Sequence, residues 1–409
     1  MAPRHRQRQR HRHRRTKDTG QRSPLFVIVA AAVLVAAAGA LVAAPTTARV
    51  LDATSLAPAG TVGYVVCPTA VTPVELDTRT AEAPIPLPLH GTPVLGSFAI
   101  ATSPDGRWAY VATTDGVAGS VPTSSSPRGT GATNAGHAPV GGVRNVLIPV
   151  DLVTQRALAP ILLPGQGGSH AVVALPDGRT VLVADGSSIV PVDPASGTVG
   201  TPIDLGTSHA VFGMALDPSG TVLYALVPDG VIPVDMVRDT VQPEILTGLA
   251  VSSVYSPHGI VASADGTTIY VAGQGGADYG GRVVPIEAAT GALLPEAGFD
   301  RFGIADPAAL TVADGDVLVV DAANNWVNSV PLGSFSDPPP PVRLPSQPGK
   351  AAITGTQHPT DIVSGPGKVG TFIVDGFDAV VPFEPTPQAF GRPIPVCSGA
   401  SSMAVASAP

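Results

Sequence analysis

Apolar residues in this chain come in short runs of Val, Ile, Leu and Ala, each closed by a cluster of Gly, Pro, Asp or Ser. Beyond residue 58 nothing sustains a 3.6-residue period, so the pattern predicts strands and turns. The segments ATSPDGRWAYVATTDG, VALPDGRTVLVADG, ALDPSGTVLYALVPDG and ASADGTTIYVAGQGG each read strand, tight turn, strand. Pro104-Asp105-Gly106 and Pro176-Asp177-Gly178 mark two of the turns, because Gly adopts the positive φ required and Pro and Asp favour the turn's start. A third strand follows each pair and carries a proline in its middle, as in SSIVPVDPASG (Ser187–Gly197). Proline has no N–H to give to a ladder, so its repeated use inside a strand needs an explanation.

The apolar-Pro-apolar-acid pattern recurs at Pro73, Pro149, Pro191, Pro233, Pro285, Pro331 and Pro382. Asp or Glu stands two residues after each proline except Pro331, where Gly333 takes its place. Most intervals lie between 42 and 52 residues; the first, 76, contains an insertion. Self-similarity at this period, in units that read as strands, predicts propeller blades. Each unit is strand A, a Pro-Asp-Gly-type turn, strand B, a loop, the proline-bearing strand C, a turn and strand D. The expected fold is an all-β, seven-bladed β-propeller of four-stranded antiparallel blades over residues 59–409. The proline is tolerable at a bulge or where strand D stops pairing, and the acid after it is expected to hold the C–D turn.

The run PHGIVASADGTTIYVAGQGGADYGGRVVPIEAATGALL (Pro257–Leu294) resembles the YVTN family of β-propeller repeats, especially actinobacterial forms whose third strand reads Thr-Pro-Ile-Asp. The resemblance covers about residues 60–409 and all seven units. It implies architecture and supplies no catalytic residue.

The first unit begins at its strand B, Thr61–Cys67, and has no strand A of its own. The chain ends Met403–Pro409, which aligns without a gap on Phe98–Pro104, strand A of the second unit. The C-terminal tail is therefore expected to close the ring, with Val405 buried, so that no long sheet edge is left open.

Charge divides the chain. Residues 1–24 hold nine Lys/Arg and one Asp. Of the chain's 23 basic and 31 acidic residues this leaves 14 and 30, a net −16 that would repel a phosphate backbone and argues against a nucleic-acid partner. An uncharged run, Leu25–Ala44, follows directly and is long enough to cross a bilayer. It reads as a signal-anchor helix or as a signal peptide with a basic leader, joined by a linker (45–58) to the propeller. Either way the propeller is expected outside the cytoplasm, as a monomer. In such a compartment Cys67 and Cys397, both placed at the closing seam, are expected to form a disulfide; two buried thiols are the alternative.

Propellers bind ligands at the channel mouth, on the face formed by the B–C and D–A loops. Four histidines fall near the start of strand A in different blades: His170, His209, His258 and His358. His170 and His258 share a register; His358 reads one residue earlier and His209 three. Asp306 approaches the same zone, and Asp115, Asp185, Asp229, Asp278, Asp321 and Asp375 lie on the B–C side. One reading is a ring of imidazoles and carboxylates for a polar ligand or a transition metal, with His170 and His258 as first ligands. The other is that these residues only shape tight turns. No His-x-x-x-His, Cys-x-x-Cys or Gly-x-Ser-x-Gly motif strengthens a metal or nucleophile assignment, so no catalytic residue is assigned. The expected function is an exported binding scaffold for a protein, a cell-wall polymer or a small ligand. A lactonase-like hydrolase is the alternative, on fold analogy alone.

Overall fold

The computed structural model describes residues 60–90, 98–116, 143–165, 171–250, 259–275, 280–298, 307–332, 335, 339–345, 358–366, 369–386 and 388–406. The basic tail (1–24), the membrane-spanning or signal helix (25–44) and the linker before residue 59 lie outside the described residues. Seven separate antiparallel sheets follow one another along the chain, and no α-helix occurs among the described residues. Blade 3 shows the plan: strand A (Val172–Ala174), B (Val181–Asp185), C (Ser188–Asp193) and D (Thr198–Val199 with Ile203–Asp204). One sheet face of each blade packs on its neighbour through a cluster of buried aliphatic and aromatic side chains, and seven such clusters make the core.

Blade 1 is assembled from both ends of the chain. Ser402–Ala406 pairs with Val62–Cys67 in the register Val62↔Ala406 to Val66↔Ser402. The register leaves Val405 half-buried, contrary to the sequence expectation; Met403 and Ala406 carry the burial instead. Gly63 makes room for Met403, since a Cβ there would collide with that side chain.

The structure accounts for the strand prolines. In an antiparallel strand a residue's N–H and C=O point to the same side. The carbonyls of Pro73, Pro149, Pro191, Pro233, Pro285 and Pro382 each accept an N–H from strand D at 2.7–2.9 Å. The absent N–H therefore also faces D, and the B–C ladder loses nothing. On that side strand D is broken in two: in blade 1, Thr80–Ala81 pairs with Val74 and Glu75, and Ile85–Pro86 with Ala70 and Val71. The break carries a second proline, Pro84, matched by Pro160, Pro202, Pro243, Pro295 and Pro393. The two prolines, the second one or two residues past the residue that faces the first, thus split the outer strand of six blades into pieces too short to recruit another chain's edge.

Blade 6 departs from the sequence reading. Its Pro331 pairs with Asp316 at the end of strand C, and Ser329, opposite Leu318, occupies the position filled elsewhere by proline. Pro331 thus stands where other blades carry the turn acid, which is why the acid was missing from its motif. In blades 2, 3 and 4 that acid does hold the C–D turn: one carboxylate oxygen of Asp151, Asp193 and Asp235 accepts two successive backbone N–H groups.

Candidate functional site

Strand A of each blade lines the axis. At the level where A first pairs with B, the inner residues are Ala99, Ala171, Gly213, Gly259, Ala309, Asp361 and Ser402. Small side chains here let seven strands converge. The space left among five of the blades, between Ala99, Ala171, Gly213, Met214, Ile260 and Ser402, is about 70 Å³, room for roughly two waters at about 30 Å³ each. The two polar members of the ring satisfy each other: Ser402 Oγ and Met403 N both donate to Asp361 Oδ2 at 2.9 Å. Asp361 is 6% exposed and works as a tie between blade 7 and the closing strand.

His209 and His358 are described; His170, His258, Asp306 and Asp278 lie outside the described residues. The residues that follow the first-choice pair, Ala171 and Gly259, sit at one level. In blade 7 Asp361 sits at that level, with Thr360 directly before it and His358 three residues before it. His358 thus reads two residues earlier than the first-choice pair rather than one. Its Nδ1–H donates to the Ala322 carbonyl at 2.5 Å, fastening the chain into blade 7 onto the B–C turn of blade 6. His209 is exposed, and its backbone N donates to Thr207 Oγ1. Among the described residues no three His, Cys, Asp or Glu side chains gather closely enough to hold a metal ion.

The B–C aspartates fall into two groups. Asp185, Asp321 and Asp375 share one register with Cys67, three residues beyond the residue that faces the strand-C proline position. All three are buried and used internally. Asp185 accepts from Asn145 Nδ2 at 2.5 Å and from Gly165 N at 2.6 Å, tying blade 3 to the connection arriving from blade 2. Asp321 accepts from Ala323 N and Asn324 Nδ2. Asp375 Oδ1 accepts from the backbone of Phe377, Asp378 and Ala379 at 2.9–3.1 Å.

Burial raises the Asp375 carboxyl above its usual range, with the three N–H donors pulling the other way. A group so raised adds stability below its unfolded pKa and loses it as pH rises through the folded one. Asp375→Asn keeps an oxygen for the three donors and removes the buried charge. The variant is expected to melt at or above the wild-type temperature at pH 7, with the gain shrinking toward pH 4. Asp375→Ala strands the donors and is expected to cost about 2 kcal/mol. Equal losses in both variants would refute this account.

One pair on the loop face went unnoticed in the sequence. His90, on the connection from blade 1 to blade 2, clamps Asp115 twice: its backbone N donates to Oδ1 at 2.7 Å and its Nδ1 lies 2.9 Å from Oδ2. The Asp115 side chain is 12% exposed and that of His90 69%. Arg144 stands directly across the B–C ladder from Asp115, on the same sheet face. The carboxylate fixes the imidazole through Nδ1 and leaves Nε2 toward solvent, the arrangement of an oriented base. His90 lies well before strand A of blade 2, and no local motif marks it; only the fold joins it to Asp115.

No family model and no curated protein matches this sequence. Among solved structures it is similar to the periplasmic gluconolactonase PpgL of Pseudomonas aeruginosa, at 15% identity and TM-score 0.56 over 85% of this chain and 99% of that one. It is also similar to a hydrazine synthase chain of Kuenenia stuttgartiensis (16%, 0.54, 77% and 91%) and to virginiamycin B lyase of Staphylococcus aureus (11%, 0.50, 74% and 85%). At such identities the likeness shows the propeller fold alone.

Proposed function

We propose that this is an exported, non-catalytic propeller, related to the YVTN-repeat proteins, that engages a partner protein or cell-wall polymer through its loop face. Residues 25–44 carry it out of the cytoplasm as an anchor or a cleaved signal. The observation behind this reading is the uneven height of the B–C hairpins. Strands B and C run nine residues each in blade 2 (Trp108–Gly116, Val143–Asp151) and eight in blade 5 (Thr268–Gly275, Gly280–Glu287). In the other five blades they run six or fewer. Two hairpins raised on one face, around an axis filled by small side chains, suit a broad partner better than a ligand sunk in the channel.

The His90–Asp115 pair favours a second reading, a lactonase-like hydrolase in which Nε2 of His90 takes a proton from water. The two readings separate in one experiment. The purified protein and its His90→Ala variant are assayed against aliphatic lactones and aryl esters. The scaffold reading expects equal background rates; a rate that falls about 100-fold or more in the variant would establish the hydrolase instead.

A further inference from the structure

Along outer strand D of blade 3, a groove of about 490 Å³ opens between blades 3 and 4, a size typical of small-molecule sites. Its apolar wall is Leu182, Pro191, Ile203 and Met236, and the charged groups on its lining are the carboxylates of Asp204 and Asp239. Comparison among the blades explains why it exists. The strand-B residue facing the strand-C proline is Tyr64, Tyr110, Tyr224, Tyr270 or Phe372 in five blades, and each ring packs toward the following blade. Blade 3 has Leu182 instead, and blade 6, which lacks the proline, Leu318. The strand-D residue that donates to the proline carbonyl is Glu82, Leu158, Gln242 or Leu294 in four blades, but Gly200 in blade 3. Gly391 is the parallel case in blade 7, where the Arg79 side chain approaches the glycine; the nearest atoms to a Cβ at Gly200 are those of Pro191. Two reductions in side-chain size therefore coincide at one inter-blade seam.

We infer that this groove binds a small aromatic amine, its ring taking the place of the tyrosine missing from blade 3 and its ammonium group meeting Asp204 and Asp239. The other blades supply the template. Their rings lie among apolar side chains with the hydroxyl end near acids: burial, with Glu82 and Glu75 close by, pushes the Tyr64 phenol up to about 12, and Tyr110 behaves alike beside Asp105, Asp177 and Asp193. Carboxylates near that edge attract a cation, whereas burial, the larger cause of the tyrosine shifts, opposes charge of either sign. The ammonium is therefore placed at the open carboxylates of Asp204 and Asp239 and not in the buried slot. The lining carries no basic side chain to oppose it. The inference is independent of the loop-face function.

Tyramine is the probe and tyrosol, its neutral alcohol counterpart, the control, with binding followed by methyl-selective NMR and by thermal shift. Tyramine is expected to move the Leu182 and Met236 methyl resonances saturably, and tyrosol to bind about tenfold more weakly or worse, the value of one charge-assisted contact. Leu182→Tyr restores the ring present in five other blades and should abolish binding; Leu182→Phe is the second filling variant if the first folds poorly. The double variant Asp204→Asn, Asp239→Asn should bind about tenfold more weakly while keeping its melting temperature within a few degrees. The inference is overturned if tyramine leaves the folded wild type unperturbed. It is equally overturned if tyrosol matches tyramine, or if a folded filling variant binds as the wild type does.

Discussion

A chain cut after residue 399 is expected to lose its cooperative melting transition or to aggregate at neutral pH. Strand B of blade 1, Val62–Cys67, is buried along its whole length and would lose the partner now paired with five of its residues. Met403, 3% exposed, packs in the cluster that holds Leu76, Phe372 and Val374; removing such a side chain alone costs about 2–5 kcal/mol. Asp361 would be left in the core without the Ser402 hydroxyl and Met403 amide that now satisfy it, a further loss of about 1–3 kcal/mol. Thr102 would lose the Val405 carbonyl, its tie from blade 2. These losses together rival the 5–15 kcal/mol, roughly, that holds an ordinary domain folded, and they uncover an apolar edge open to other chains. Urea titration and size-exclusion chromatography of the truncated and full chains decide the matter. A truncated protein that stays monodisperse with an unchanged midpoint would show that the tail does not close the ring. Met403→Ala, which keeps the strand and deletes one side chain, should fall between the two.

The architecture was legible because a repeated pattern of turns and strands survives any local irregularity, and because a missing first strand A and a surplus last one have one simple resolution. What the sequence hid was set by register. Pro331 looks like its counterparts in a string of letters, yet pairing with Asp316 moves it two places along strand C and gives its usual position to Ser329. The proline of strand C reads as a defect until strand D is seen to break beside it at a proline of its own; neither makes sense alone. The candidate site was harder still. Asp185, Asp321 and Asp375 share a hairpin context with Asp115, but a difference of position on the hairpin buries the first three and leaves Asp115 within reach of His90. His209 and His358 could be placed near strand A from sequence, whereas the turn that receives His358 belongs to another blade. The groove between blades 3 and 4 follows from Leu182 and Gly200, two unremarkable residues until each is compared with its counterparts in the other blades.

Reducing the Cys67–Cys397 bond is expected to lower the stability of the propeller as much as the largest single side-chain change considered above. The two residues are 330 apart in sequence, with Cα atoms 6.2 Å apart, inside the range a disulfide spans. Cys67 occupies the strand-B position that Asp185 holds in blade 3, and Cys397, like Gly165, belongs to the connection arriving from the preceding blade. The bond therefore makes covalently, at the seam where the chain's two ends meet, the tether that a carboxylate and a backbone amide make between blades 2 and 3. Thr72 Oγ1 lies 3.3 Å from the Cys397 sulfur, holding the connection against strand C of blade 1. Closing a loop of this length restricts the unfolded chain by about 5 kcal/mol in the chain-entropy description, and measured gains usually fall short of that figure. The native protein should show no thiol to a labelling reagent even after denaturation without reductant. Cys67→Ser/Cys397→Ser should unfold at a clearly lower urea concentration, by a margin matching that of the reduced wild type. If denatured, unreduced protein releases two reactive thiols, or if reduction leaves the midpoint where it was, the seam is held by strand pairing alone.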